Sequence, residues 1–179
     1  MKNAIAKIML TFFISVLSGT VQFAQAHIMV AQKGTLNIVD DGIYMVLSIP
    51  VSAFEGIDSD NDGKLSKTEF RDKRTDIAET VKSNIRLNNG KQEISLQGLL
   101  LSPVLSHHHI DEPATQLIVT GKYTVHEPDA NLDYSVGLFG QTDAEQSIEI
   151  TVKNKAHKFE EKRVLTPTAH SLNFSVFSE

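Results

Sequence analysis

The chain has 179 residues, of which 17 are Lys or Arg and 22 are Asp or Glu, and it contains no Cys and no Trp. That length fits a single domain. Lack of Cys excludes disulfides, thiolate metal sites and Cys nucleophiles, and the acidic balance argues against nucleic acid or anionic lipid as a partner.

The first 26 residues read as a secretory signal peptide. Lys2 and Lys7 charge its start, Ile8 to Leu17 form an apolar run broken by Thr11 and Ser15, and Ala24-Gln25-Ala26 is an A-x-A cleavage site. The run is too short for a membrane anchor, which takes about 20 apolar residues. No later segment reads as a transmembrane span. The mature chain is expected to start at His27 and to fold as one β-rich domain, residues 27–179, in the periplasm or outside the cell. Losing Lys2 and Lys7 leaves 15 basic against 22 acidic residues, a net charge of −7. Its 153 residues suffice for a core without disulfides.

Strand signals come next. Thr35 to Val39 and Ile43 to Ile49 are apolar and rich in β-branched residues, and Asp40-Asp41-Gly42 joins them as a tight turn. Pro50 ends the second run. Ile85 to Leu87 and Glu93 to Leu101 flank Asn88-Asn89-Gly90-Lys91, a second hairpin signature. Gln116 to Val125, Leu132 to Phe139, Ser147 to Val152 and Lys158 to Leu165 follow as further strands. In Ser171 to Phe177, Leu172, Phe174 and Val176 alternate with Asn173, Ser175 and Phe177. Short strands between turn residues predict a mostly β, β-sandwich-like fold. The mixed-charge run Lys153 to Lys162 reads as a solvated sheet edge.

One segment breaks this pattern. Ser66 to Asn84 holds no Gly or Pro, and Phe70, Ile77 and Val81 share one helical face with Arg74 among them. Ser66 with Glu69 three residues on has capping-box spacing. The helix begins where a distinctive loop ends. Asp58-Ser59-Asp60-Asn61-Asp62-Gly63-Lys64-Leu65-Ser66-Lys67-Thr68-Glu69 matches D-x-[DN]-x-[DN]-G-x5-E at every fixed place. Calcium is a hard ion that takes six to eight oxygens at roughly 2.3–2.6 Å. Alternating Asp58, Asp60 and Asp62 let a curling backbone aim three carboxylates inward, and Gly63 permits the turn. Lys64 offers its carbonyl, and Ser66 a ligand directly or through water. Glu69 closes the shell as a bidentate ligand, which favours calcium over the smaller magnesium. The bland alternative is a solvated Asp-rich turn.

Residues 58–69 resemble an EF-hand calcium loop, and Ser66 to Asn84 resembles its exiting helix. The resemblance implies a helix-loop-helix over 51–84, inserted after the second strand, with Val51 to Ile57 as a short entering helix of about two turns. EF-hands usually pair through their loops, yet no second D-x-D-x-D-G pattern occurs. A groove-opening sensor is therefore not implied. The whole mature chain resembles the exported N-terminal domains of bacterial HupE/UreJ-type membrane proteins: a leader ending before His, two strands, a D-x-D-x-D-G segment, a helix and more strands. That likeness implies a free-standing version of such a domain and a metal-related role.

The histidines form the other constellation. His107-His108-His109 suits zinc, copper or nickel in residue type, with Asp111 and Glu112 beside it. Adjacent residues of an extended loop seldom face one ion, so an exposed loop is the simpler reading. If cleavage follows Ala26, the α-amine and imidazole of His27 resemble half of the histidine brace of copper-dependent polysaccharide monooxygenases and some periplasmic copper carriers. His109, His126 or His170 would have to supply the second half. Catalytic signatures are missing: there is no G-x-S-x-G elbow, no H-E-x-x-H and no phosphate-cradling Gly loop. Glu55, Glu160 and Glu161 have no paired acid. The expectation is a non-enzymatic, exported calcium-binding domain, with an envelope protein as candidate partner. Its alternative is a transition-metal carrier or copper enzyme built on His27 and other histidines.

Overall fold

Among the described residues the chain forms ten strands, many of them built on apolar side chains at every second position, and one helix fills the gap between two of them. The structure, a computed structural model, describes residues 31–90, 92–104, 112–126 and 131–175. The strands are β1 (Lys33–Val39), β2 (Gly42–Pro50), β3 (Ile85–Asn88), β4 (Glu93–Ile94), β5 (Gln97–Pro103), β6 (Gln116–Thr124), β7 (Asn131–Val136), β8 (Ile148–Asn154), β9 (Phe159–Leu165) and β10 (Ser171–Ser175). The helix α1 spans Lys67–Asn84. The fold is mostly β, in two sheets: a six-stranded sheet ordered β5-β6-β2-β1-β8-β9 and a four-stranded sheet ordered β10-β7-β3-β4. Pairing is antiparallel except between β1 and β8.

The strand alternation decides which faces meet. Leu36, Ile38, Ile43, Met45, Leu47 and Ile49 of the larger sheet share one buried cluster with Leu87, Leu132, Tyr134, Val136 and Phe174 of the smaller one. Ile77 and Val81 of α1 join the same cluster, whereas Arg74 stays exposed. The run Glu93 to Leu101, read as one strand, is two. β4 pairs with β3 in the small sheet and β5 pairs with β6 in the large one, so the chain changes sheets at Ser95–Leu96. A register shift between Gln97 and Leu100, with Gly98 at φ +59°, marks that change. β9 is an edge strand, and its Glu160 and Glu161 pair with Lys153, Lys162 and Arg163 across or along the surface.

The expected helix-loop-helix is corrected to a single helix. Val51–Ala53 is one 3-10 turn, and Phe54 is already extended at φ −109°, ψ 121°. Gly56 then turns left-handed at φ +69°, which an α-helix does not accept. Two stronger demands outweigh helix formation here. The Val51 N–H donates to the Thr115 carbonyl at 2.9 Å, and Phe54 and Ile57 are both drawn into the core. Among the described residues no helix is long and apolar enough to cross a membrane.

Two core hydroxyls converge on one thioether. Tyr134 Oη donates to Met45 Sδ at 3.2 Å, and Tyr123 Oη reaches the same sulfur at 4.0 Å. Burial pushes Tyr134 well above the usual phenol range, since an ionised oxygen there would lie in apolar surroundings. Met→Leu is ordinarily a mild core change. Here Met45→Leu removes the acceptor, and a buried hydroxyl left without a partner costs about 1–3 kcal/mol. Urea denaturation should show that loss for Met45→Leu, and a clearly smaller one for Met45→Leu combined with Tyr134→Phe.

Candidate metal centre

The loop hangs between two fixed points, the 3-10 turn at its start and α1 at its end. At the start, Ser52 Oγ donates to Glu145 Oε2 at 2.9 Å. The same oxygen accepts from Thr142 Oγ1 at 2.9 Å and from the Thr142 N–H at 3.3 Å. Desolvation would raise the Glu145 carboxyl, but these hydrogen bonds, with one from the Gln141 N–H, outweigh it and hold the carboxyl below its ordinary value. The 3-10 turn is thereby tied to the segment before β8. At the other end Ser66 caps α1. Its Oγ accepts from the Glu69 N–H at 3.2 Å, and its own N–H donates to Glu69 Oε2 at 2.9 Å, a reciprocal capping box.

Between these ends the backbone curls around its carboxylates. The Gly63 N–H donates to Asp58 Oδ2 at 2.8 Å, and the Asp62 N–H donates to Asp58 Oδ1 at 3.2 Å and Asp60 Oδ1 at 3.3 Å. Ser59 donates its N–H to Glu69 Oε1 at 2.7 Å. The turn needs left-handed backbone at Asn61 (φ +57°) and Gly63 (φ +78°). A side chain at residue 63 would meet open space, so Gly63 is required by φ alone.

Asp58, Asp60 and Glu69 come together, each presenting an oxygen within 4.8 Å of the others. They are the only convergent group of three or more His, Asp or Glu side chains among the described residues. Asp62, though expected beside them, turns its Oδ1 to the Lys64 N–H at 2.8 Å. Ser66 spends its hydroxyl on the cap. A cleft of about 400 Å³ separates Asp58, Asn61 and Gly63 from Ser52, Phe54 and Gln141.

Of the expected histidine ligands, only His126, His157 and His170 fall among the described residues. His27 and the run His107, His108 and His109 lie outside the described residues. His126 and His170 are exposed, and His157 donates its backbone N–H to Asn154 Oδ1 at 3.3 Å. None of these three joins the convergent group.

Sequence reasoning missed two contributors. Glu145 lies 93 residues from Ser52, and no local pattern links them. Ala114 forms a two-way bridge to Leu65, with N–H···O distances of 2.8 and 2.9 Å. The one available signal was Leu65, an apolar residue in an otherwise polar loop. It is 1% exposed, so its side chain pins the loop to the core. Burying a Leu contributes about 1.5–3 kcal/mol.

No protein-family model matches the chain, and no curated protein matches it either.

Two carboxyls in the loop shift in opposite directions. Hydrogen bonds from the backbone N–H groups of Ser66 and Ser59, with the Ser66 hydroxyl, hold Glu69 below its ordinary value. At Asp60 the Asp62 N–H pulls downward. Desolvation, the charges of Asp62 and Glu69 and the hydrogen bond with Asp58 together outweigh it, leaving Asp60 raised. Glu69 thus contributes stability above its ordinary value of 4.5, lost as pH falls through the depressed one. Asp60 favours the fold while protonated, and that is lost as pH rises through its raised value, above 3.8. In chelator at neutral pH, Glu69→Gln should melt lower than the parent and Asp60→Asn higher. Both differences should shrink as the acids are protonated.

Proposed function

We propose that this chain is an exported, non-enzymatic calcium-binding domain that holds one ion in the loop Asp58 to Glu69. The observation that carries the reading is the convergence of Asp58, Asp60 and Glu69 within 4.8 Å, in a loop that matches D-x-[DN]-x-[DN]-G-x5-E at every fixed place. Three carboxylates so close repel one another, and a divalent cation relieves that repulsion. Asp62 and the Lys64 carbonyl would complete the shell, and Ser66 would add an oxygen directly or through water. Glu69 would serve twice, closing the metal shell and capping α1.

The two sheets around one core support a β-sandwich-like class, and the loop with α1 supports a one-helix form of the EF-hand. The likeness to exported HupE/UreJ-type domains agrees with a metal-related role. The leader Met1 to Ala26 supports export to the periplasm or beyond. Calcium would act as a clasp that fastens α1 against the sheets, either for stability or to present a surface to an envelope protein. Affinity should match extracellular modules, on the order of 10⁻⁴–10⁻³ M.

Calcium should raise the melting temperature of the full mature chain, because an ion that binds only the folded state stabilises it by mass action. Glu69→Gln should abolish most of that rise. An equal rise in the variant would overturn the role of Glu69. No rise in the parent at ion concentrations well above the expected dissociation constant would overturn the calcium reading.

A further inference from the structure

Leu65 is the eighth residue of the loop, and its backbone is bonded to a distant segment. Its N–H donates to the Ala114 carbonyl at 2.8 Å, and its carbonyl accepts from the Ala114 N–H at 2.9 Å. Both residues are 1% exposed. This is an isolated antiparallel bridge, with no ladder on either side to keep it in register.

Ala114 is itself a junction. The next carbonyl, Thr115, accepts from the Val51 N–H at 2.9 Å, at the end of β2. The one after, Gln116, accepts from the Val104 N–H at 2.9 Å, just past β5, and opens β6. Three consecutive residues thus fasten the loop and the ends of β2 and β5 to the start of β6. On the loop side the path runs from Leu65 to Ser66, and from Ser66 to the Glu69 carboxylate through the capping box.

We propose that cation binding in this loop and the seating of residues 114–116 are one cooperative event, coupled through the Leu65–Ala114 bridge. The proposal rests on the calcium reading above. Closing the loop on an ion fixes Glu69 and Ser66, and with them the backbone of Leu65. A fixed Leu65 presents its N–H and carbonyl at the spacing Ala114 needs. Parting the two would leave two buried N–H and two buried carbonyl groups without partners, so neither moves alone. Such linkage is reciprocal: if the ion steadies the strand start, the seated strand start tightens the ion by the same factor.

Amide hydrogen exchange on the full mature chain, with calcium or with chelator, reads the linkage without any substitution. Calcium should slow exchange at Leu65 and Ala114 by about 5–150-fold, and Glu69→Gln should abolish the slowing. Ala114→Pro, which lacks the bridging N–H, should bind one calcium with a dissociation constant larger by about the same factor. Calcium bound by the parent without slower exchange at Ala114 overturns the coupling alone. Unchanged affinity in a folded Ala114→Pro protein overturns it too. A parent chain that binds no calcium removes the calcium reading and the coupling with it.

Discussion

Leu65 carries the constraint on which the loop depends. Its side chain is sealed in the common core while its backbone is bonded to Ala114. One residue later the chain must cap α1, and seven residues earlier it must begin a turn that gathers acids. A loop of charged residues gains little from burial and would otherwise wander in water. A single buried Leu and two short hydrogen bonds give it a fixed address on the domain.

The acids themselves are balanced by the backbone. Asp58 and Glu69 accept N–H groups from Asp62, Gly63, Ser59 and Ser66, so the curled main chain partly neutralises them. Asp60 is the member for which this is insufficient, since repulsion and desolvation outweigh its N–H partner. Positive charge near Asp60 would offset that repulsion. The reciprocal cap between Ser66 and Glu69 means that one carboxylate both holds a helix end and belongs to the convergent group.

Much of the fold was legible because alternation of apolar residues is itself the cause of strand burial. Leu172 and Phe174 point inward for the same reason that they alternate in the sequence. Turn chemistry at Asp40-Asp41-Gly42 and Asn89-Gly90 located two hairpins. The α1 boundary was legible to the residue, because Ser66 and Glu69 encode the cap chemically. The entering helix was misread because its fate depends on distant partners. Thr115 takes the Val51 N–H, and Glu145 takes the Ser52 hydroxyl. The break at Ser95–Leu96 was missed for a related reason. Both halves of Glu93 to Leu101 suit extended backbone, and only tertiary pairing assigns them to different sheets. In the loop, spacing foretold that Asp58, Asp60 and Glu69 converge. It could not foretell that Asp62 turns to the Lys64 N–H.

The parallel pairing of β1 with β8 has a consequence in time. Gly34 lies beside Ile150, and Ile38 beside Asn154. The first strand of the large sheet therefore keeps one open edge until the last third of the chain arrives. Contacts this distant in sequence slow folding, because a long loop must close before any of them forms. A chain that emerges from its N-terminus would carry β1 and β2 as a hairpin with an exposed flank, Leu36 and Ile38 unsheltered, through most of its synthesis. That interval, rather than the finished domain, is when this protein is most open to wrong pairing and to whatever holds nascent strands apart.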